Sequence, residues 1–275
     1  MDWLTSAFTA PESLRALGAG AIAALSLAVV GTWVVIRGMS FFGDALAHGV
    51  IPGIALAILF GFDPFLGAGI AALVMIAGVN FVHRQGTFSE DTGIGLLFVG
   101  MLAAGVLIAS RSGGDAEALT EVLFGDLLGS ERSNFGILAV VAVLVVSVSA
   151  FLYRPLLGLA FNERKAQTLR LRPRLAHPLL LTMITAAVVA SFPTIGTLLV
   201  FGLLVGPAAT AALLVRKVPA MMIVAVAIGM AAVVLGLVIS HHAETDASAT
   251  VALIPIFSFF TVLTVKARPV RHAQT

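Results

Sequence analysis

A carboxylate and an imidazole stand four residues apart in SFFGDALAHGVIPGIALAILFG, residues 40–61, at the head of an otherwise apolar run. If that run is helical, Asp44 and His48 share one face about 5–6 Å apart and offer an oxygen and a nitrogen to a common point. At bilayer depth an ionisable group costs roughly 2.5–3.5 kcal/mol even on lenient insertion scales, so both side chains need partners. A metal ion would supply one. Two structural readings compete with it: Asp44 caps a helix start after Gly43, or His48 donates to a neighbouring backbone carbonyl.

A second cluster lies near the C-terminus. ISHHAETDASAT, residues 239–250, places His241, His242, Glu244 and Asp246 between the last two apolar runs. If helical, His242 and Asp246 repeat the four-residue spacing, with His241 and Glu244 on an adjoining face; a solvated outer turn accounts for them as well. Oxygen and nitrogen donors without thiolate suit zinc, manganese or ferrous iron better than a soft metal. Binding through imidazole also makes such a site pH-sensitive, because the ring must be neutral to ligate.

The elements that position these residues are membrane spans. Of 275 residues 59% are hydrophobic and 11% charged, with a mean hydropathy of +1.07, whereas a soluble domain carries about a quarter charged residues. The expected fold is all-α and polytopic, a single transmembrane domain over 1–275 with about eight or nine spans. Cysteine is absent, which removes disulfides and thiolate metal sites. The N-terminal MDWLTSAFTAPESLRALG lacks a basic n-region, so the first span is expected to act as the targeting signal.

Apolar runs fall at 16–36, 44–60, 64–82, 92–110, 135–152, 178–192, 194–215, 219–240 and 249–265, nine in the working count. With a cytoplasmic C-terminus, thirteen of the sixteen Lys and Arg residues fall on the inner side, and only Arg15, Arg111 and Arg132 on the outer. The sixth run is short, and SFPTIG makes a tight joint after it. Gly202 and Gly206 form a small-xxx-small pair that lets backbones approach, and Pro207 is expected to kink or break its helix. His48 should lie near midplane, whereas residues 241–248 start at the outer surface. The two clusters meet only if the outer segment dips inward or the second span begins irregularly, as backbone lining a cavity can.

No lysine follows a glycine, so the chain has no phosphate-binding loop of the G-x-x-x-x-G-K-[ST] type. ATP-driven work would require a separate subunit. The inner segment YRPLLGLAFNERKAQTLRLRPRLAHP, residues 153–178, is the expected docking surface, with Leu159, Phe161, Ala166 and Leu169 on one face and Glu163, Arg164 and Lys165 on the wet side.

Several of these stretches together resemble the membrane subunits of zinc- and manganese-uptake ABC transporters, the metal-type permease family. GDALAHGVIPGIALA looks like the family's most distinctive segment, FSEDTGIGLLFVGMLAAGVLIAS like its ED-x-x-IG region, and LFGDLLG like its L-F-G segment. LLGLAFNERKAQTLRL resembles its coupling helix, with Asn162 where an Asp usually stands, and TIGTLLVFGLLVGPAATAALL its P-A-A-T-A span. The resemblance implies two permeases working with two cytoplasmic ATPases and fed by an extracytoplasmic metal-binding protein, in a bacterial inner membrane, as a multi-pass homodimer in contact with lipid and with no nucleic acid. It implies a transported divalent metal, zinc or manganese with iron as a further candidate, with no permanent cofactor and no enzymatic activity of the chain itself. Asp44 and His48 match the family's acid and histidine. Glu244 falls where an Asp four residues after a Ser usually stands, with Ser248 at a usual glycine; His242 and Asp246 have no sure counterpart. Phe161, Asn162, Glu163 and Ala166 would couple to the ATPase, and outer segments 111–134 and 241–248 would meet the delivery protein. Two other classes explain the polar pair: a proton-coupled secondary transporter, and a membrane metalloenzyme, against which the missing HExxH counts.

Overall fold

A computed structural model describes residues 8, 11–85, 90–110, 132–161 and 173–266. Every regular element among them is an α-helix: α1 (Pro11–Ile36), α2 (Ser40–Gly49), α3 (Ile51–Phe60), α4 (Pro64–Gln85), α5 (Glu90–Ala109), α6 (Arg132–Phe151), α7 (Tyr153–Phe161), α8 (Pro173–Leu214), α9 (Val218–Ala243) and α10 (Ala247–Lys266).

The punctuation between helices has local causes. After α1, Met39 N–H donates to the Val34 carbonyl at 3.0 Å and Gly38 N–H to that of Val35 at 3.1 Å. Gly38 adopts φ 69°, so α1 ends in the paired-bond cap that a left-handed glycine permits. Two residues later α2 begins. Its boundary with α3 is slight: Val50 stays right-handed helical, and Pro52 opens α3 where its missing N–H costs least. Residues 40–60 therefore form one interrupted span of 21 residues. Gly61, at φ 72°, ends α3, and Asp63 caps α4 by accepting from Phe65 N–H at 2.7 Å.

Among the described residues six helices are long and apolar enough to cross a bilayer alone, α2 with α3 makes a seventh span, and α6 with α7, bent by 72°, makes an eighth. The apolar runs 178–192 and 194–215 do not emerge as separate elements. They are joined in α8, whose one residue with non-helical dihedrals is Gly196 (φ 70°, ψ 168°). The forty-residue, largely apolar stretch Leu175–Leu214 of α8 would extend to roughly 60 Å, twice the hydrocarbon thickness. Packing resolves the excess. Gly20 and Gly229 set α1 antiparallel to α9 through Val233 and Ala24, and Gly236 sets α9 antiparallel to α10 through Val251. Arg37 and Lys266, at the ends of α1 and α10, therefore share one face. His177 near the start of α8 touches Arg37, and Leu213 near its end touches Lys266. Both ends of α8 lie on that basic face, so the chain reverses at Gly196, inside SFPTIG.

The break is at Gly196 and not at Pro207, where the backbone stays helical. Proline's fixed φ suits a helix and loses one hydrogen bond, whereas φ 70° with ψ 168° is open only to glycine. Thr210 also donates to the Gly206 carbonyl beside Pro207, at 2.8 Å.

Small residues set the closest approaches, as expected where lipid offers no hydrophobic drive between helices. A β-carbon on Gly53 would lie 2.0 Å from the Gly67 carbonyl oxygen, and one on Gly67 would lie 2.3 Å from that of Gly53, so α3 and α4 touch backbone to backbone. Gly202 and Gly206 seat α8 against Ala252 and Pro255 of α10. Among the described residues, a β-carbon added to Gly69 or Gly100 would meet nothing within 4 Å. The buried core is built on α1, α2 and α8. On the outer surface α4, α5 and α10 present Leu73, Leu96, Leu107 and Phe257, all well exposed, the apolar exterior of a protein solvated by lipid.

Candidate metal site

Asp44 and His48 lie on α2, one turn apart, with His48 Nε2 3.7 Å from Asp44 Oδ1; each side chain is about one-third exposed (30% and 32%). Asp44 is the fifth residue of a helix that begins at Ser40, and the N-cap position belongs to Met39, so Asp44 is no cap. Ala45, Leu46 and Ala47 around the pair are buried, and α2 packs on α5, α8, α4 and α1. Phe98 of α5 covers the imidazole with ring centroids 5.9 Å apart and meets Phe41 edge-on at 5.5 Å. Among the described residues neither polar side chain has another polar partner. The carboxylate thus keeps an open oxygen and the ring an open nitrogen beside aromatic walls, a donor pair suited to a hard or borderline divalent cation.

Gly43 explains how α2 is held. A β-carbon there would lie 2.2 Å from Leu204 Cδ2, and one on Gly31 of α1 would lie 1.8 Å from the Leu204 carbonyl oxygen. Leu204 of α8 therefore plugs both helices immediately beside Asp44.

The C-terminal cluster is arranged otherwise than helical spacing predicts. α9 ends at Ala243 with Glu244 left-handed at φ 51°, ψ 41°, so His242 and Asp246 do not share a helix face. Asp246 Oδ1 accepts from Ala249 N–H at 2.7 Å and is the N-cap of α10. His242 Nδ1 bonds the Val238 carbonyl at 2.8 Å, and the His241 and His242 rings meet edge-on at 5.2 Å. His241, His242, Glu244 and Asp246 are all exposed. No three His, Asp or Glu side chains surround a common point among the described residues. The α2 pair and the α9–α10 turn are thus not brought together within one chain.

Phe161 is the last residue of α7. Asn162, Glu163 and Ala166 lie outside the described residues, as does 111–131 of the outer segment. Sequence reading missed a third polar group, at the basic face. Arg37 NH1 donates to the Leu159 carbonyl and NH2 meets His177 Nδ1, each at 3.4 Å, while His177 stacks on His83 with centroids 4.1 Å apart. The three residues are 140 positions apart at most in sequence, each just outside a different apolar run, so no local pattern marks them.

A helical bundle wrapped in apolar side chains, with an Asp–His pair on α2 and no nucleotide loop in its sequence, has the make-up of a membrane permease subunit. The chain belongs to the ABC 3 transport family, matching it over residues 11–266, and is a multi-pass membrane subunit of a bacterial ABC transporter, distinct from the ATPase. It is 32% identical to the manganese transport system membrane protein MntC of Listeria innocua over 84% of this chain and 82% of that one. It is also 32% identical to the manganese import system permease protein ScaB of Streptococcus parasanguinis, over 89% and 88%. A probable iron transport system membrane protein of Haemophilus influenzae is 29% identical over 95% and 96%. Among solved structures, PsaBC from Streptococcus pneumoniae in complex with Fab superposes with a TM-score of 0.82 at 26% identity, covering 95% of this chain and 94% of that one.

Proposed function

We propose that this chain forms the transmembrane pathway of an ATP-driven importer for a divalent transition metal, working as a pair of copies with two ATPases and an extracytoplasmic metal-binding protein. The observation that carries the reading is the Asp44–His48 pair: two metal-ligating side chains one helical turn apart, 3.7 Å from each other, inside a helical bundle of a transporter family. Two donors per chain give four across a pair of copies, and a transport site must bind loosely enough to release.

Manganese is the cargo we put first, because relatives aligned over most of the chain carry it in their names. Iron follows on the Haemophilus relative, and zinc accepts the same donors. Glu244, exposed at the end of α9 with His242 two residues before it, would receive an ion arriving from the delivery protein. Asp246 already serves α10 as its cap. Residues 153–178, with Phe161, Asn162, Glu163 and Ala166, would dock on the ATPase. The proton-coupled secondary transporter draws no support from membership of an ABC family.

The test is uptake of manganese, iron and zinc, each alone, into proteoliposomes holding the assembled transporter. ATP-dependent uptake of manganese that survives collapse of the proton gradient is expected. Uptake that proceeds without ATP and stops with the gradient would overturn the reading.

A further inference from the structure

The cluster at the basic face joins the elements on either side of the presumptive docking segment to the helix that carries the metal pair. Arg37 follows α1 directly, and three residues later, through the Gly38 cap, begins α2 with Asp44 and His48. Its guanidinium reaches Leu159 on α7 and His177 near the start of α8. α7 and α8 are the helices that lead into and out of residues 162–172. His83, at the end of α4, closes the group by stacking on His177 with planes 14° apart.

Guanidinium only donates, so His177 Nδ1 must accept, and the ring is neutral at that nitrogen. Both contacts are long for N–H donors. They tie both flanking helices to the end of α1. A shift of α8 driven at its start therefore reaches α2 through the Arg37 contact, three residues before the first turn of α2.

We infer that Arg37 is a positioning residue for transport: it transmits movement of the α7–α8 flanks to α2, so that ATP hydrolysis and access to the Asp44–His48 pair stay coupled. The inference rests on the proposed importer function and adds to it a residue that touches neither metal nor nucleotide.

The experiment uses the full transporter, with its ATPase and loaded binding protein, in proteoliposomes. Hydrolysis and manganese uptake are measured together for Arg37→Gln and for His177→Leu, with His177→Asn as the conservative variant, because the Asn oxygen can replace Nδ1 as acceptor. For Arg37→Gln and His177→Leu, basal hydrolysis is expected to persist while ions imported per ATP fall by about fivefold or more, the lower range of measured site-to-site couplings. His177→Asn should restore the ratio. A merely structural role would lower both activities in proportion and leave their ratio unchanged. An unchanged ratio in both loss variants, measured on intact complexes, would overturn the inference, as would failure of His177→Asn to rescue when His177→Leu uncouples. Were the importer reading itself wrong, the unmodified transporter would show no ATP-dependent uptake, a different failure.

Discussion

Gly31 rests on the carbonyl oxygen of Leu204, so close that a β-carbon on Gly31 would stand 1.8 Å from it. The obstacle is backbone, which cannot swing aside as a side chain can. Gly31→Ala is expected to force α1 off α8 and to destabilise the protein by about 1–3 kcal/mol or more, read as thermal unfolding in detergent. Gly100→Ala is the control: among the described residues nothing lies within 4 Å of its added methyl, and the change should be neutral or stabilising by about 0.5–1 kcal/mol.

Gly196 is the one residue at which α8 leaves helical dihedrals, and its ψ of 168° with positive φ belongs to glycine. Gly196→Ala should cost about 1–3 kcal/mol. A loss in folded yield and unfolding temperature larger than that of Pro207→Ala is expected, since the backbone at Pro207 is already helical.

Trp33 Nε1–H donates to Ser149 Oγ at 2.8 Å in the buried contact between α1 and α6. Ser149→Ala leaves that indole N–H buried without its acceptor, a loss of about 1–3 kcal/mol, while Ser149→Thr keeps a hydroxyl and should lose less. Unfolding temperatures of the two variants compare them directly.

At the outer turn, capping and ion handling separate by substitution. Asp246→Asn keeps an oxygen to accept from Ala249 N–H and should leave stability and uptake near normal, whereas Asp246→Ala should lose about 1 kcal/mol. Glu244→Gln keeps shape and removes charge, so manganese uptake at low metal concentration is expected to fall. Equal uptake in Glu244→Gln and the parent would remove Glu244 from the ion's route.

Much of this was legible because lipid leaves few options. The apolar runs became helices, and Asp44 and His48 shared a face, because a fully apolar backbone segment in hydrocarbon has to satisfy its own hydrogen bonds. The tight joint SFPTIG did contain the reversal. The location of the break was less legible: Pro207 was expected to kink or break its helix, yet its backbone stays helical and the break falls at Gly196, whose φ and ψ only glycine adopts readily. For His242 and Asp246 the sequence left a helix face and a solvated turn both open, and a left-handed Glu244 that ends α9 between them decides for the exposed turn. The Arg37–His177–His83 group was invisible, since only the folded order of α1, α4, α7 and α8 brings it together.

The most direct measurement is ATP-driven manganese uptake by assembled transporter carrying Asp44→Asn or His48→Gln, each close in size to the residue it replaces. Uptake at background level in both, with the transporter inserted, assembled and still hydrolysing ATP, is the expected result. Undiminished uptake in both would contradict the assignment of this pair to the ion's path.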